Sequence, residues 1–121
     1  MLSQVYDVAR RNNIKDSSQL IQAINKAIRG LNTIAVFIIG SMARGEFVLG
    51  MNDIDLVVIV SGEPPFRAKV IGSPLGDVEV IVFILSEFCS HYMNNNIILE
   101  TLRIGIPIIG DPEELMRLCR K

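Results

Sequence analysis

Three short segments of the sequence carry residues whose types and spacing suit phosphate and metal chemistry. The first is Gly40-Ser41, which follows an apolar run and precedes a short helix or turn. Backbone N–H groups at the start of a helix point outward and carry the positive end of the helix dipole, and glycine lets a phosphate approach the backbone closely. The serine hydroxyl adds one donor. The segment indicates a phosphate-binding turn, although an ordinary strand-to-helix turn could contain the same residues.

The second segment is a pair of aspartates at the start of another apolar run. Strand side chains alternate between the two faces of a sheet, so Asp53 and Asp55 project to one face while Ile54 and Leu56 project to the other. Two carboxylates on one face repel each other and resist desolvation unless a cation lies between them. Mg²⁺ takes such oxygen ligands and links them to phosphates. The alternative is a solvated strand entrance, where acidic residues cost nothing.

A third carboxylate lies in the segment Asp77-Val78-Glu79-Val80. Asp77 fits a turn after Gly76. Glu79 is flanked by valines inside a strand, where an unpaired acid needs a partner or a metal. The alternative is that Glu79 faces solvent from a half-exposed strand.

Together the three segments contain the parts of a two-metal site for phosphoryl or nucleotidyl transfer. One metal would activate the attacking oxygen, and the other would hold a triphosphate and stabilise the departing pyrophosphate. The third carboxylate would bind a metal or take the proton from the attacking hydroxyl. Arg44 could contact a phosphate because its guanidinium is planar and always charged, or it could form a surface ion pair.

The apolar pattern predicts the elements that must position these residues. Strands are expected at residues 33–39, 54–60, 67–71, 78–85 and 106–109, the last at a sheet edge because it contains Pro107. Helices are expected at residues 2–11, 16–29, 87–93 with Ser86 as N-cap, and 97–104, with a short helix or turn at 42–48 and a final helix starting at Asp111-Pro112. This order predicts one α/β or α+β domain over residues 1–121, with a mixed sheet of four to five strands flanked by helices.

Composition excludes several classes of protein. Twelve basic and thirteen acidic residues give a net charge of −1, which argues against duplex nucleic acid as the main partner. No uncharged stretch reaches the length of a membrane helix, and no hydrophobic leader precedes residue 13, so we expect a cytoplasmic protein. Cys89 and Cys119 show no metal spacing and are expected to be reduced thiols packed in helices. The hydrophobic content, 50%, is high for so short a chain and predicts contact with a partner chain or with a second copy.

The sequence resembles the DNA polymerase β-type nucleotidyltransferase superfamily, and within it the minimal nucleotidyltransferases. Their pattern is Gly-Ser, about ten residues, and Asp-x-Asp, and it is matched by Gly40-Ser41-Met42-Ala43-Arg44-Gly45-Glu46 and by Asp53-Ile54-Asp55-Leu56. The resemblance implies that Gly40 and Ser41 hold the nucleotide phosphates. It also implies that Asp53 and Asp55 bind Mg²⁺ and that Glu79 is the third carboxylate.

Two departures from the family pattern are visible. Eleven residues separate Ser41 from Asp53, one more than the commonest spacing, and we expect the extra residue to be absorbed between Val48 and Asn52. The third acid is Glu79, where aspartate is common in the minimal proteins. A longer side chain could shift or weaken a metal site.

The resemblance implies an enzyme that uses Mg²⁺, with two ions, and ATP to move a nucleoside monophosphate onto a hydroxyl. Family members of this size resemble antitoxins paired with a helical HEPN-type toxin, and some of them transfer AMP to a tyrosine of that partner. Two other hypotheses stay open at this point. One is a catalytically inactive antitoxin that neutralises its partner by contact alone, and the other is a self-assembled transferase for a small molecule.

Overall fold

The computed structural model describes residues 1–120 and contains, within them, six helices and a five-stranded mixed sheet. In chain order the elements are α1 (Leu2–Arg11), α2 (Ser17–Ile28), β1 (Thr33–Ile39), α3 (Gly40–Ala43), β2 (Ile54–Val60), β3 (Ala68–Ile71), β4 (Val78–Ile84), α4 (Leu85–His91), α5 (Asn96–Ile104), β5 (Ile106–Ile109) and α6 (Pro112–Cys119). The predicted fold class is therefore confirmed. None of the helices in residues 1–120 has the length and apolarity needed to cross a membrane.

The strands lie in the order β3-β4-β2-β1-β5, with β2 and β4 parallel and the other neighbouring pairs antiparallel. β1 and β2, whose sequences are almost entirely apolar, lie inside the sheet and are covered by helices on both faces. β5 lies at the edge of the sheet beside β1, as predicted from Pro107, which cannot donate a backbone hydrogen bond.

Alternating side chains of the central strands form a separate core on each face of the sheet. On one face Leu56 and Val58 of β2 belong to the larger core with α1 and α2. On the other face Val57 and Ile59 pack in a smaller core under α4, α5 and α6, whose buried residues are Phe88, Ile98 and Leu115. Asp55 precedes Val57 by two residues and so lies on the face of the smaller core, at its open end.

The ends of several helices follow from their capping residues. Asp16 accepts a hydrogen bond from the Ser18 N–H at 3.0 Å, and Asp111 accepts one from the Glu113 N–H at 2.9 Å, with Pro112 in the first turn. The prediction of Ser86 as an N-cap is wrong. Helix α4 starts directly after β4 with Ile84 as its N-cap, and the Glu87 carboxylate accepts the Ile84 N–H at 3.2 Å.

The predicted state of the cysteines is also wrong. Cys89 of α4 and Cys119 of α6 form a disulfide, with their Cα atoms 5.1 Å apart. Helices α4 and α6 pack on the same face of the sheet, which brings together two residues that are 30 positions apart in the chain. A separation of that length resembles no metal or redox motif, so the sequence offered no sign of the pairing.

Candidate active site

Sheet register brings the three predicted segments to one end of the sheet. In the antiparallel pair β1–β2, Ile39 is opposite Asp55, so the chain leaves β1 at Gly40 beside that aspartate. In the parallel pair β2–β4, Asp55 is opposite Glu79. Because parallel strands begin at the same edge, both carboxylates lie at the edge where β1 ends.

A cavity of about 450 Å³ opens at this edge. Its lining contains every residue predicted for the site together with three others: Gly40, Ser41, Arg44, Met51, Asn52, Asp53, Asp55, Glu79 and Glu100. The structure thus assembles the predicted residues around one space. Their roles in binding and catalysis stay predictions.

The backbone of Gly40 lies close to the Asp55 side chain. Its φ is +68°, and a Cβ added to it would lie 2.5 Å from Asp55 Oδ2. Any other residue would be strained by this φ and would also push the carboxylate away. The turn predicted to bind phosphate and the carboxylate predicted to bind metal are therefore in direct contact, and only glycine permits that contact.

A buried asparagine holds the segment that follows Gly40. Asn12, at the end of α1, donates from Nδ2 to the carbonyl of Met42 at 2.9 Å, and its Oδ1 accepts from the Phe47 N–H at 3.0 Å. These bonds satisfy a buried polar group and fix both ends of the bend between α3 and the following loop. Sequence reasoning missed Asn12, because its partners are 30 and 35 residues away.

A compact turn closes the segment between the two motifs. The N–H groups of Met51 and Asn52 both donate to the Val48 carbonyl at 3.0 Å, and Asn52 Oδ1 accepts from the Val48 N–H at 2.9 Å. These hydrogen bonds close the loop just before Asp53, in the place where we expected the insertion to be absorbed.

Negative charge is concentrated around Asp55. Partial burial, followed by repulsion from Glu79, Asp53 and Glu100, raises the Asp55 pKa to about 6, whereas Arg44 acts in the opposite direction. The side chain of Glu79 is exposed, as the solvent-facing alternative proposed, and it also lines the cavity. The site thus has more negative than positive charge, the condition that a bound cation would relieve.

The cavity contains oxygen donors of the type that Mg²⁺ binds. Carboxylate oxygens are the ligands that Mg²⁺ prefers, and Asp53, Asp55 and Glu79 supply them. Within residues 1–120, however, no three acidic, histidine or cysteine side chains are gathered closely enough to hold a metal as they stand. The chemistry of the residues fits Mg²⁺, and binding it would require the mutually repelling carboxylates to turn toward the ion.

Arg44 forms ion pairs with two acids at the rim of the cavity. Its Nε lies 3.4 Å from Glu46 Oε2, and its Nη1 lies 3.9 Å from Glu100 Oε2. The surface ion pair considered for Arg44 is present, and the guanidinium still lines the cavity.

Glu100 is the acidic residue of the site that sequence reasoning missed. It projects from α5, and its Oε2 accepts the N–H of Gly40 at 3.0 Å. The one available signal was its position as the single charged residue in the stretch Asn96–Leu102, in a helix that covers the sheet. No motif connects it with Gly40, which is 60 residues earlier.

Comparison with known families agrees with this geometry. The sequence matches the family described as the nucleotidyltransferase domain over residues 17–104. The match runs from the start of α2 to the end of α5 and includes the Gly-Ser turn and all the acids of the cavity. A search of the curated proteins gives no match. Because the matched segment is well over half of the chain, the protein belongs to the nucleotidyltransferase domain family.

Proposed function

We propose that the protein is a Mg²⁺-dependent nucleotidyltransferase that moves AMP from ATP onto a hydroxyl group of a partner protein of the HEPN toxin type. The observation that supports this most strongly is the contact between Gly40 and Asp55. This contact places the turn predicted to bind phosphate beside the Asp55 carboxylate. Asp55 is in turn opposite a second acid, Glu79, on the neighbouring strand.

The residues have distinct roles in this proposal. The N–H of Gly40, the N–H and hydroxyl of Ser41, and the guanidinium of Arg44 bind the phosphates of ATP. Asp53, Asp55 and Glu79 hold Mg²⁺. Two bound ions would offset the triphosphate charge and favour ionisation of the attacking hydroxyl.

The transfer itself is a substitution at phosphorus. The acceptor oxygen bonds to the α-phosphorus, the bond from that phosphorus to the bridging oxygen of the β-phosphate breaks, and pyrophosphate leaves with the electron pair. The hydroxyl proton passes to a carboxylate of the site. Glu79 suits this role, as an alternative to holding the metal, because it is exposed on β4 whereas Asp55, the acid on β2, is half-buried.

Exposed apolar side chains lie in the loop that precedes Asp53. Val48, Leu49 and Met51 belong to this loop, Leu49 and Met51 are 64% and 82% exposed, and Met51 also lines the cavity. Exposed apolar side chains beside a polar cavity suit a protein acceptor, either a helical partner or a second copy of this chain. Antitoxin function would follow if the modified partner were a toxin.

Use of ATP favours a cytoplasmic location, as proposed from the sequence. The disulfide between Cys89 and Cys119 points the other way, since disulfides are rare in a reducing cytosol. Trapping the thiols in intact cells before lysis, followed by mass spectrometry, would decide between the two.

The proposed activity is tested with ATP labelled on the α-phosphate, Mg²⁺ and the protein encoded next to this one. Wild type should transfer label to the partner, and Asp55→Asn should lose about two orders of magnitude or more of that rate. Asp7→Asn is the matched control, because Asp7 is an exposed acid of α1 paired with Arg10 and lies outside the cavity. Equal labelling by wild type and Asp55→Asn would refute the proposal.

A second candidate is an inactive antitoxin that acts by contact alone. It is favoured by the separation of the carboxylates, because no three of them within residues 1–120 lie close enough together to hold a metal ion. It predicts that the double variant Asp53→Asn, Asp55→Asn still neutralises and co-purifies with the partner. Retained binding with lost neutralisation would exclude contact alone and support transfer.

A further inference from the structure

One carboxylate engages two of the groups assigned to phosphate binding. Glu100 Oε2 accepts the Gly40 N–H at 3.0 Å and lies 3.9 Å from Arg44 Nη1. The same oxygen thus contacts the backbone donor and approaches the cation that the proposed function reserves for a nucleotide phosphate.

We propose that Glu100 is an internal anion that occupies the phosphate position of the site, and that a triphosphate must displace it in order to bind. This proposal rests on the proposed function, because it takes Gly40 and Arg44 as the phosphate ligands. A backbone N–H directed at one carboxylate oxygen cannot also donate fully to a phosphate oxygen, and the two anions repel at this distance.

Glu100 is not needed to hold α5 in place. The helix is capped by Asn95, whose Oδ1 accepts from the N–H groups of Ile97 and Ile98 at 2.9 and 3.1 Å. Ile98 is fully buried in the smaller core, and the Thr101 hydroxyl donates to the Ile97 carbonyl within the helix. The Glu100 side chain, in contrast, is 36% exposed and can swing into solvent. Its contact with Gly40 is therefore one that a ligand can replace without disturbing the helix.

Loss of Glu100 should change nucleotide binding in opposite directions, depending on whether Glu100 occupies the phosphate position or takes part in metal binding or catalysis. If Glu100 bound the metal or took the acceptor proton, its loss would weaken nucleotide binding or slow the reaction. If it occupies the phosphate position, its loss frees the Gly40 N–H and strengthens binding. The direction of the change in affinity therefore separates the two roles.

The matched control is Glu46, the other acid paired with Arg44. Its Oε2 lies 3.4 Å from Arg44 Nε, and Glu46 does not line the cavity. Glu46→Gln removes one negative charge from the rim and releases Arg44 in part, but it leaves the Glu100–Gly40 hydrogen bond intact. It therefore measures the effect of charge and of Arg44 alone.

The experiment is titration calorimetry of wild type, Glu100→Gln, Glu100→Ala and Glu46→Gln with Mg²⁺-ATP and with inorganic tripolyphosphate. Glu100→Ala should bind each ligand about tenfold more tightly than wild type, as expected for release of a charged hydrogen bond. Glu100→Gln should also bind more tightly, but by a smaller factor, because its amide oxygen can still accept the Gly40 N–H. Glu46→Gln should change affinity by less than about threefold. The amide resonance of Gly40 gives a second readout: it should shift on Glu100→Ala, and on addition of ATP to wild type.

Three outcomes decide between the possibilities. Tighter binding by both Glu100 variants supports the proposal. Unchanged or weaker binding by them, with clear binding by wild type, overturns the role of Glu100 and leaves the proposed function standing. If none of the four proteins binds ATP or tripolyphosphate, both proposals fail.

Discussion

At the scale of single residues, Asp55 lowers the stability of the fold when it is ionised, and it is also a proposed metal ligand. Its pKa is raised to about 6 by burial and then by Glu79, Asp53 and Glu100. The folded protein therefore holds this proton more tightly than the unfolded chain, so the stability that the protonated group contributes is lost as pH rises from about 4 to about 6.

Asp55→Asn removes this cost and should therefore stabilise the protein at neutral pH. We expect the variant to exceed wild type by about 1 kcal/mol at pH 7.5, a value reduced for the half-exposed side chain, and to match it near pH 4. Urea unfolding of both proteins across this pH range measures the difference. A difference that stays constant with pH would contradict the electrostatic origin, since the Asn side chain does not titrate.

Gly40 can be tested against Gly30, a glycine that also has a positive φ but has no close neighbour. Gly40 and Gly30 have φ of +68° and +81°, and a Cβ on Gly30 would meet nothing within 4 Å. Alanine at either position should cost about 1 kcal/mol of stability through backbone strain. Gly40→Ala alone should also displace Asp55 and weaken Mg²⁺-ATP binding at least tenfold in calorimetry. Equal binding by the two variants would show that the contact with Asp55 has no role.

At the scale of elements, the disulfide links α4 to α6 across a loop of 30 positions. Closing such a loop restricts the unfolded chain and should contribute about 3.6 kcal/mol. Cys119→Ser, or reduction of wild type, should lower the free energy of unfolding by that amount while leaving ATP affinity unchanged, because neither cysteine lines the cavity. Two reactive thiols in unreduced, denatured wild type would show that the bond does not form.

The elements were predictable from sequence to the extent that their signals are local. The apolar runs of β1 and β2, the Asp111-Pro112 helix start and the edge strand with Pro107 each depend on neighbouring residues, and each is confirmed. The contacts of Glu100 and Asn12 span 30 to 60 residues and have no periodic signal. Their hydrogen-bond partners are backbone atoms, which carry no residue type that a sequence pattern could single out.

At the scale of the whole molecule, one face of the sheet carries the larger hydrophobic core and the other carries the smaller core and the cavity. The face under α1 and α2 carries the larger core and supports the central strands. The opposite face has a smaller core that ends at the cavity, so the site lies where helix cover stops and a ligand or partner can enter. The chain thereby places its buried strands next to a cluster of acids without burying those acids completely.

That arrangement makes ligand binding visible as a change in the stability of the whole protein. A ligand present at about 100 times its Kd stabilises the folded state by about 2.7 kcal/mol, which corresponds to a rise in Tm of roughly 10 °C for a domain of this size. We expect this rise for wild type with ATP and Mg²⁺ at pH 7.5, and none for Asp55→Asn. At pH 5 the rise in wild type should be smaller, because the proton that Asp55 holds below about pH 6 competes with the cation. If the rise in Tm were equal at both pH values, or equally large without Mg²⁺, ATP binding would not depend on the carboxylates. The antitoxin that acts by contact alone would then be the better explanation.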